Sequence, residues 1–155
     1  MKHNTIAETF TLAALALLAL GIAPTANAAD KGCSVATLKG TFAINGTGSI
    51  LVPPQFAGPI GIAGTNTFDG NGGVTGAGML NQSGSSLPIT ETGTYTVNSD
   101  CTGVIVVQIG PIAIAAHYYF VIDQSVTELQ MLCTDDGVVF SAVAKRQFPI
   151  GDWRQ

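Results

Sequence analysis

Leu87-Pro88-Ile89-Thr90-Glu91-Thr92-Gly93-Thr94-Tyr95-Thr96-Val97 alternates from end to end. In an extended chain Pro88, Thr90, Thr92, Thr94 and Thr96 fall on one side. Leu87, Ile89, Glu91, Gly93, Tyr95 and Val97 fall on the other. A period of two marks a β-strand with one wet face and one apolar face, and the threonine side is the wet one. Glu91 then lies on the apolar, inward face, provided no bulge flips the register between Glu91 and Tyr95. Asn98-Ser99-Asp100-Cys101-Thr102-Gly103 ends the strand with turn chemistry.

The same grammar extends in both directions. Strands are predicted over 38–44, 59–68, 74–82, 87–97, 104–109, 112–122, 128–134 and 138–147. In the first, Leu38, Phe42 and Ile44 share a face. Asp69-Gly70-Asn71-Gly72-Gly73 is a strong hairpin signal, because several of its residues tolerate positive φ. Val52-Pro53-Pro54 to Gly58-Pro59 reads as a loop, since adjacent prolines remove ladder donors. No segment after Ala29 carries a helical period. Closely spaced short strands predict an all-β meander closed as a sandwich or a barrel. Strands 104–109 and 112–122 are apolar on both faces; the second sets Ile114, Tyr118, Phe120 and Ile122 against Ala115, His117, Tyr119 and Val121. Such strands need cover outside as well as inside, which predicts self-association through 104–109 and 112–122.

The first 28 residues read differently. Lys2 and His3 precede an apolar run from Phe10 to Ala23, Pro24 breaks it, and Ala26-Asn27-Ala28 supplies a small-x-small cleavage pattern. The expected cut follows Ala28, leaving one domain over 29–155. The apolar run has 14 residues, too short to cross about 30 Å of hydrocarbon as a helix, so no retained membrane segment is expected. Export to the periplasm or the extracellular space follows.

Removing residues 1–28 takes away one base, Lys2, and one acid, Glu8, so the net charge stays at −4. Phosphate binding needs a basic patch, and Lys145-Arg146 is the only basic pair, so nucleic acid is excluded as a partner. Charged residues make up 10% of the chain, against about 25% in ordinary globular proteins. The surface is therefore built from Thr, Ser, Asn, Gln, Gly and some apolar groups. Cys33, Cys101 and Cys133 follow the leader. An exported protein can form a disulfide, and three cysteines allow three single-bridge pairings, each leaving one thiol over.

Four stretches resemble the allene oxide cyclase barrel-like family of small exported bacterial proteins. They are Leu38-Lys39-Gly40-Thr41-Phe42, the turn segment from Thr67 to Gly76, the strand and turn from Gly93 to Gly103, and Ser141-Ala142-Val143-Ala144-Lys145-Arg146-Gln147. They span nearly the whole mature chain in order, and each is informative about fold and poor as evidence for chemistry. The resemblance implies an eight-stranded antiparallel up-and-down barrel with an apolar interior, similar to the lipocalin-like class. It also favours a Cys33–Cys101 disulfide, with Cys133 free. Relatives with this barrel include cyclases, but their pocket residues do not align onto this chain, and fold does not fix function.

Glu91 is the sharpest candidate for chemistry. On an apolar inner wall its pKa rises and it can serve as an acid, a base or a ligand-orienting group. At a barrel mouth the same side chain reaches water and does nothing of the kind. Tyr95, four residues along the same face, either joins Glu91 in holding a polar ligand group or packs as a core aromatic whose hydroxyl reaches the rim. His117 is the only histidine after the leader. No His, Cys, Asp or Glu spacing builds a metal site around it, so no metal or cofactor is expected and His117 reads as a buried or interface side chain. No G-x-S-x-G elbow is present, and the glycines of 70–78 precede no helix that could hold a phosphate.

The sequence supports first a barrel that binds a small apolar or amphipathic molecule, with Phe42, Ile44, Ile89, Glu91 and Tyr95 against it. The alternatives are an isomerase or cyclase that shapes an apolar substrate with Glu91 as the polar participant, and a solidly packed barrel that acts through self-association.

Overall fold

A computed structural model of the chain describes residues 32–148. The leader, its cleavage site and the membrane reading of its apolar run lie outside the described residues. Within them, eight strands form a closed antiparallel meander: β1 Lys39–Ile50, β2 Gly58–Asp69, β3 Gly73–Gln82, β4 Ser85–Val97, β5 Thr102–Gly110, β6 Ile114–Ile122, β7 Glu128–Cys133 and β8 Val138–Arg146. β8 returns to pair with β1, so no sheet edge is left open. The eight-stranded up-and-down barrel is therefore the fold. Among the described residues there is no helix long and apolar enough to cross a membrane.

Alternation builds the wall. In β4, Thr90, Thr92, Thr94 and Thr96 are exposed while Ile89, Glu91 and Tyr95 are buried, so no bulge intervenes. The inward residues of β5 and β6, among them Ile105, Val107, Tyr118 and Phe120, complete the interior.

β4 and β5 each begin two residues before their expected starts, and three further departures have a visible cause. β1 runs on to Ile50, because Gly46 and Gly48 carry no side chains to display the alternation. A Cβ on Gly46 would sit 2.4 Å from the Phe140 ring, so the glycine makes room for an inward aromatic. Leu38 belongs to a 3-10 turn, Val35–Leu38, that enters the barrel before β1. β6 starts at Ile114 rather than Ile112, since Ala113 takes a φ of +52° in the turn after Pro111.

The Val35–Leu38 turn plugs one end of the barrel. Leu38, Phe42 and Phe68 are fully buried or nearly so there. Phe42 meets Phe68 edge to face at 5.5 Å, and Phe68 meets Tyr95 in the same way at 5.1 Å. The Tyr95 hydroxyl donates to the Val35 carbonyl at 2.9 Å and accepts from the Gly70 N–H at 3.1 Å. Outside this stack the Arg146 guanidinium lies 4.5 Å over the Phe42 ring, donating to the Lys39 and Val126 carbonyls at 2.7 and 3.0 Å. A disulfide joins Cys33 to Cys101 and pins the plug to the β4–β5 turn.

Candidate functional site

The opposite end is not plugged. It is formed by the β1–β2 loop, the β3–β4 and β5–β6 turns and the β7–β8 turn. A cavity of about 460 Å³ opens there. Its wall takes Ile60 and Ile62 from β2, Leu80 and Gln82 from β3, Ile109 from β5, Ile114 and Tyr118 from β6, Cys133 from β7, and Val138 and Phe140 from β8. Val52, Pro53, Phe56 and Ile112 form its rim. These side chains point inward by the same parity as the core of the plugged end, but among the described residues no turn folds in to fill the space between them.

The rim is built and apolar. Leu51, Val52, Phe56 and Ile112 are each 40% exposed or more. Gln82 donates from Nε2 to the Phe56 carbonyl at 2.6 Å, and Leu51 N–H donates to the Gly137 carbonyl at 2.7 Å. These bonds tie the proline-rich loop to the barrel.

Glu91 lies deeper. It is 6% exposed and belongs to an inward row that crosses four strands: Phe42, Asn66, Gly76 and Glu91 are successive cross-strand partners. Gly76 is the reason the polar pair can form. A Cβ there would stand 2.3 Å from Asn66 Oδ1, so only glycine leaves room for the Asn66 amide to pass over β3. Burial holds the Glu91 carboxyl above its ordinary range, and the neighbouring Asn66 amide offsets this only in part. Glu91 is therefore an interior carboxyl rather than a rim residue. It is not part of the cavity wall, yet its partner on β5, Ile109, is. Tyr118, also in the wall, has its phenol pushed up by burial first and then by the charges of Glu91, Cys133 and Asp135.

The one ionised group of the wall is Asp135, in the β7–β8 turn. It accepts the His117 backbone N–H at 3.0 Å and the Cys133 thiol at 3.5 Å, and it meets His117 Nδ1 at 2.6 Å. Burial raises the Asp135 carboxyl, but these bonds outweigh it and leave the group below its ordinary range. Cys133 is free, and burial raises its thiol. The carboxylate stands between thiol and imidazole, so the imidazole cannot take the thiol proton directly, and the thiol is not an activated nucleophile.

The sequence-derived candidates thus fall in separate places. Phe42 and Tyr95 belong to the plug. Ile89 is buried core, Ile44 packs against that core, and Glu91 sits with Asn66. None of the five walls the cavity. His117 is not buried: its side chain is 48% exposed, because odd-numbered residues of β6 point outward. Asn66 escaped notice, although it sits on the inward parity of β2 with Ile62 and Phe68. No group of three or more metal-ligating side chains occurs among the described residues. No family model matches the chain, and neither does any curated protein.

Proposed function

We propose that this is an exported binding barrel that holds one small apolar or amphipathic molecule in the cavity at its unplugged end. The observation that carries the reading is that cavity: about 460 Å³, walled by isoleucine, leucine, valine and aromatic side chains and entered through an apolar rim. Ligand sites in small barrels are mouths of this kind, of about 300–1,000 Å³ with few polar groups. The disulfide supports export, since such bonds persist in oxidising compartments. Membership of the allene oxide cyclase barrel-like family belongs to the same proposal, supported by the four stretches named above and the closed barrel.

Native mass spectrometry of the protein purified from its own producer tests the reading. A discrete added mass that leaves on denaturation is expected. Absence of added mass, together with failure to take up an apolar fluorescent probe, would return the barrel to a purely structural role. A cyclase or isomerase reading would use Glu91, whose raised pKa suits proton transfer. Glu91 is not among the residues that line the cavity, which favours binding over catalysis.

A second reading rests on the outer face. Val104, Tyr119, Val121 and Leu132 stand side by side across β5, β6 and β7, each between 41% and 53% exposed. Among the described residues of the single chain nothing covers them, which supports self-association through this face. Light scattering behind size exclusion should then give more than one chain per particle, and a strict monomer at high concentration would remove this reading.

A further inference from the structure

The cavity carries a charge rule as well as a size. Its wall contains no Lys, Arg or His among the described residues, and its one ionised group is an acid, Asp135. A second carboxyl, Glu91, is the inward-facing partner of Ile109 on the adjacent strand. The remaining polar groups are neutral and cannot balance an anion's charge: Gln82 places one of its two amide N–H groups on the Phe56 carbonyl, the Cys133 thiol is turned to Asp135, and Tyr118 contributes a phenol hydroxyl. His117 meets Asp135 from the outer surface of β6 and is not in the wall.

The cations are elsewhere. Lys39, Lys145 and Arg146 are the only lysines and arginines among the described residues, and all three sit at the plugged end. Arg146 is engaged on the Lys39 and Val126 carbonyls, and Lys145 pairs with Glu128 at 3.2 Å. An anionic headgroup drawn into the mouth would lose water without gaining a cation, and would do so beside Asp135. Burying an unpaired charge in apolar surroundings is among the costliest steps in recognition. A neutral polar group suffers no such loss, and an ammonium gains Asp135.

Resting on the binding reading above, we infer that the barrel selects uncharged or cationic apolar molecules, donating to Asp135 at the mouth, and discriminates against carboxylates of the same chain length. Taking the share of liquid volume of a water-sized group as about 30 Å³, the cavity holds roughly 15 heavy atoms. A chain of twelve carbons with one polar head is of this size.

The test is a displacement series at neutral pH on the protein with its disulfide formed. N-phenyl-naphthylamine serves as the neutral fluorescent reporter, and dodecanol, dodecylammonium and dodecanoate compete below their micellar concentrations. Dodecanol and dodecylammonium should displace the reporter, with dodecanoate weaker by about tenfold or more. Asp135→Asn should remove the advantage of dodecylammonium over dodecanol, with both competitors read against the variant's own affinity for the reporter. Dodecanoate binding as tightly as dodecanol would overturn the charge rule while leaving the cavity a binding site. Failure of the reporter and all three competitors to bind would overturn the binding reading itself, and the charge rule with it.

Discussion

The two ends of this barrel are made by the same eight strands with the same in-and-out alternation, yet one is solid and the other hollow. At the plugged end the inward positions carry Phe42, Phe68 and Tyr95, and the Val35–Leu38 turn drops Leu38 among them. The Tyr95 hydroxyl and Arg146 satisfy the Val35, Lys39 and Val126 carbonyls and the Gly70 N–H there, while Arg146 Nη2 has no partner. At the other end the inward positions carry mostly branched aliphatics, and none of the described residues is inserted between them. A barrel of eight strands is just wide enough for either outcome. Filling, rather than strand count, decides which end packs and which end can receive a ligand.

Substitutions can break this contrast from either side. Phe68→Ala removes the ring held between Phe42 and Tyr95, and should cost about 3–5 kcal/mol in denaturant unfolding. A loss as small as that of a rim substitution would mean that the plug is not packed. Replacing Cys33 and Cys101 together by Ser frees the plug from the β4–β5 turn. The bridge spans 68 residues, and its loss should cost about 2–4 kcal/mol, read as a lower Tm. Reporter binding at the far end should survive in the folded fraction, since the cavity takes no wall residue from the plug.

Glu91 sits between the two regimes, and pH sharpens its role. Its folded pKa lies above the ordinary value of 4.5. The stability tied to the protonated form is therefore fully present below the unfolded pKa and is lost as pH rises through the elevated folded value. Glu91→Gln should accordingly raise Tm at neutral and alkaline pH and leave it little changed in acid. A pH-independent difference between the two proteins would show that ionisation of Glu91 is not what the interior resists. The smallest expected change is at the mouth. Ile114 is half exposed in the cavity wall, so Ile114→Ala should alter stability by about 0.5 kcal/mol or less. It should still weaken uptake of the apolar reporter, which separates the use of that side chain from any part in holding the fold.

How much of this was legible depends on whether the physics was local. The β4 segment displayed its period openly, so its wet face, its inward Glu91 and its turn were readable from residue types alone. The prolines at 53 and 54 marked the β1–β2 loop for a similar reason. The far half of β1 was not readable, because glycines at 46 and 48 leave no alternation. Asn66 had a weak signal: an amide on the inward parity of β2. Its meeting with Glu91 depends on Gly76 on the strand between them, and no spacing along the chain expresses that. Of the two readings of His117, buried or at an interface, the outward parity of β6 rules out the buried one, and its pairing with Asp135 was not legible because that residue comes from a turn distant in the chain.

Residue order by itself determined the all-β class, the presence of eight strands and, where side chains alternate, the face each takes, because a period of two and the turn residues act over a few neighbours. The tertiary structure alone decided that the sheet closes with β8 against β1, that Phe42 and Tyr95 pack rather than line a cavity, and that the space is left at the end where Asp135 is the only ionised wall group. These are outcomes of volume and of partners distant in the chain. An inward isoleucine reads the same in a core and in a cavity; the difference is whether another part of the molecule arrives to fill the space in front of it.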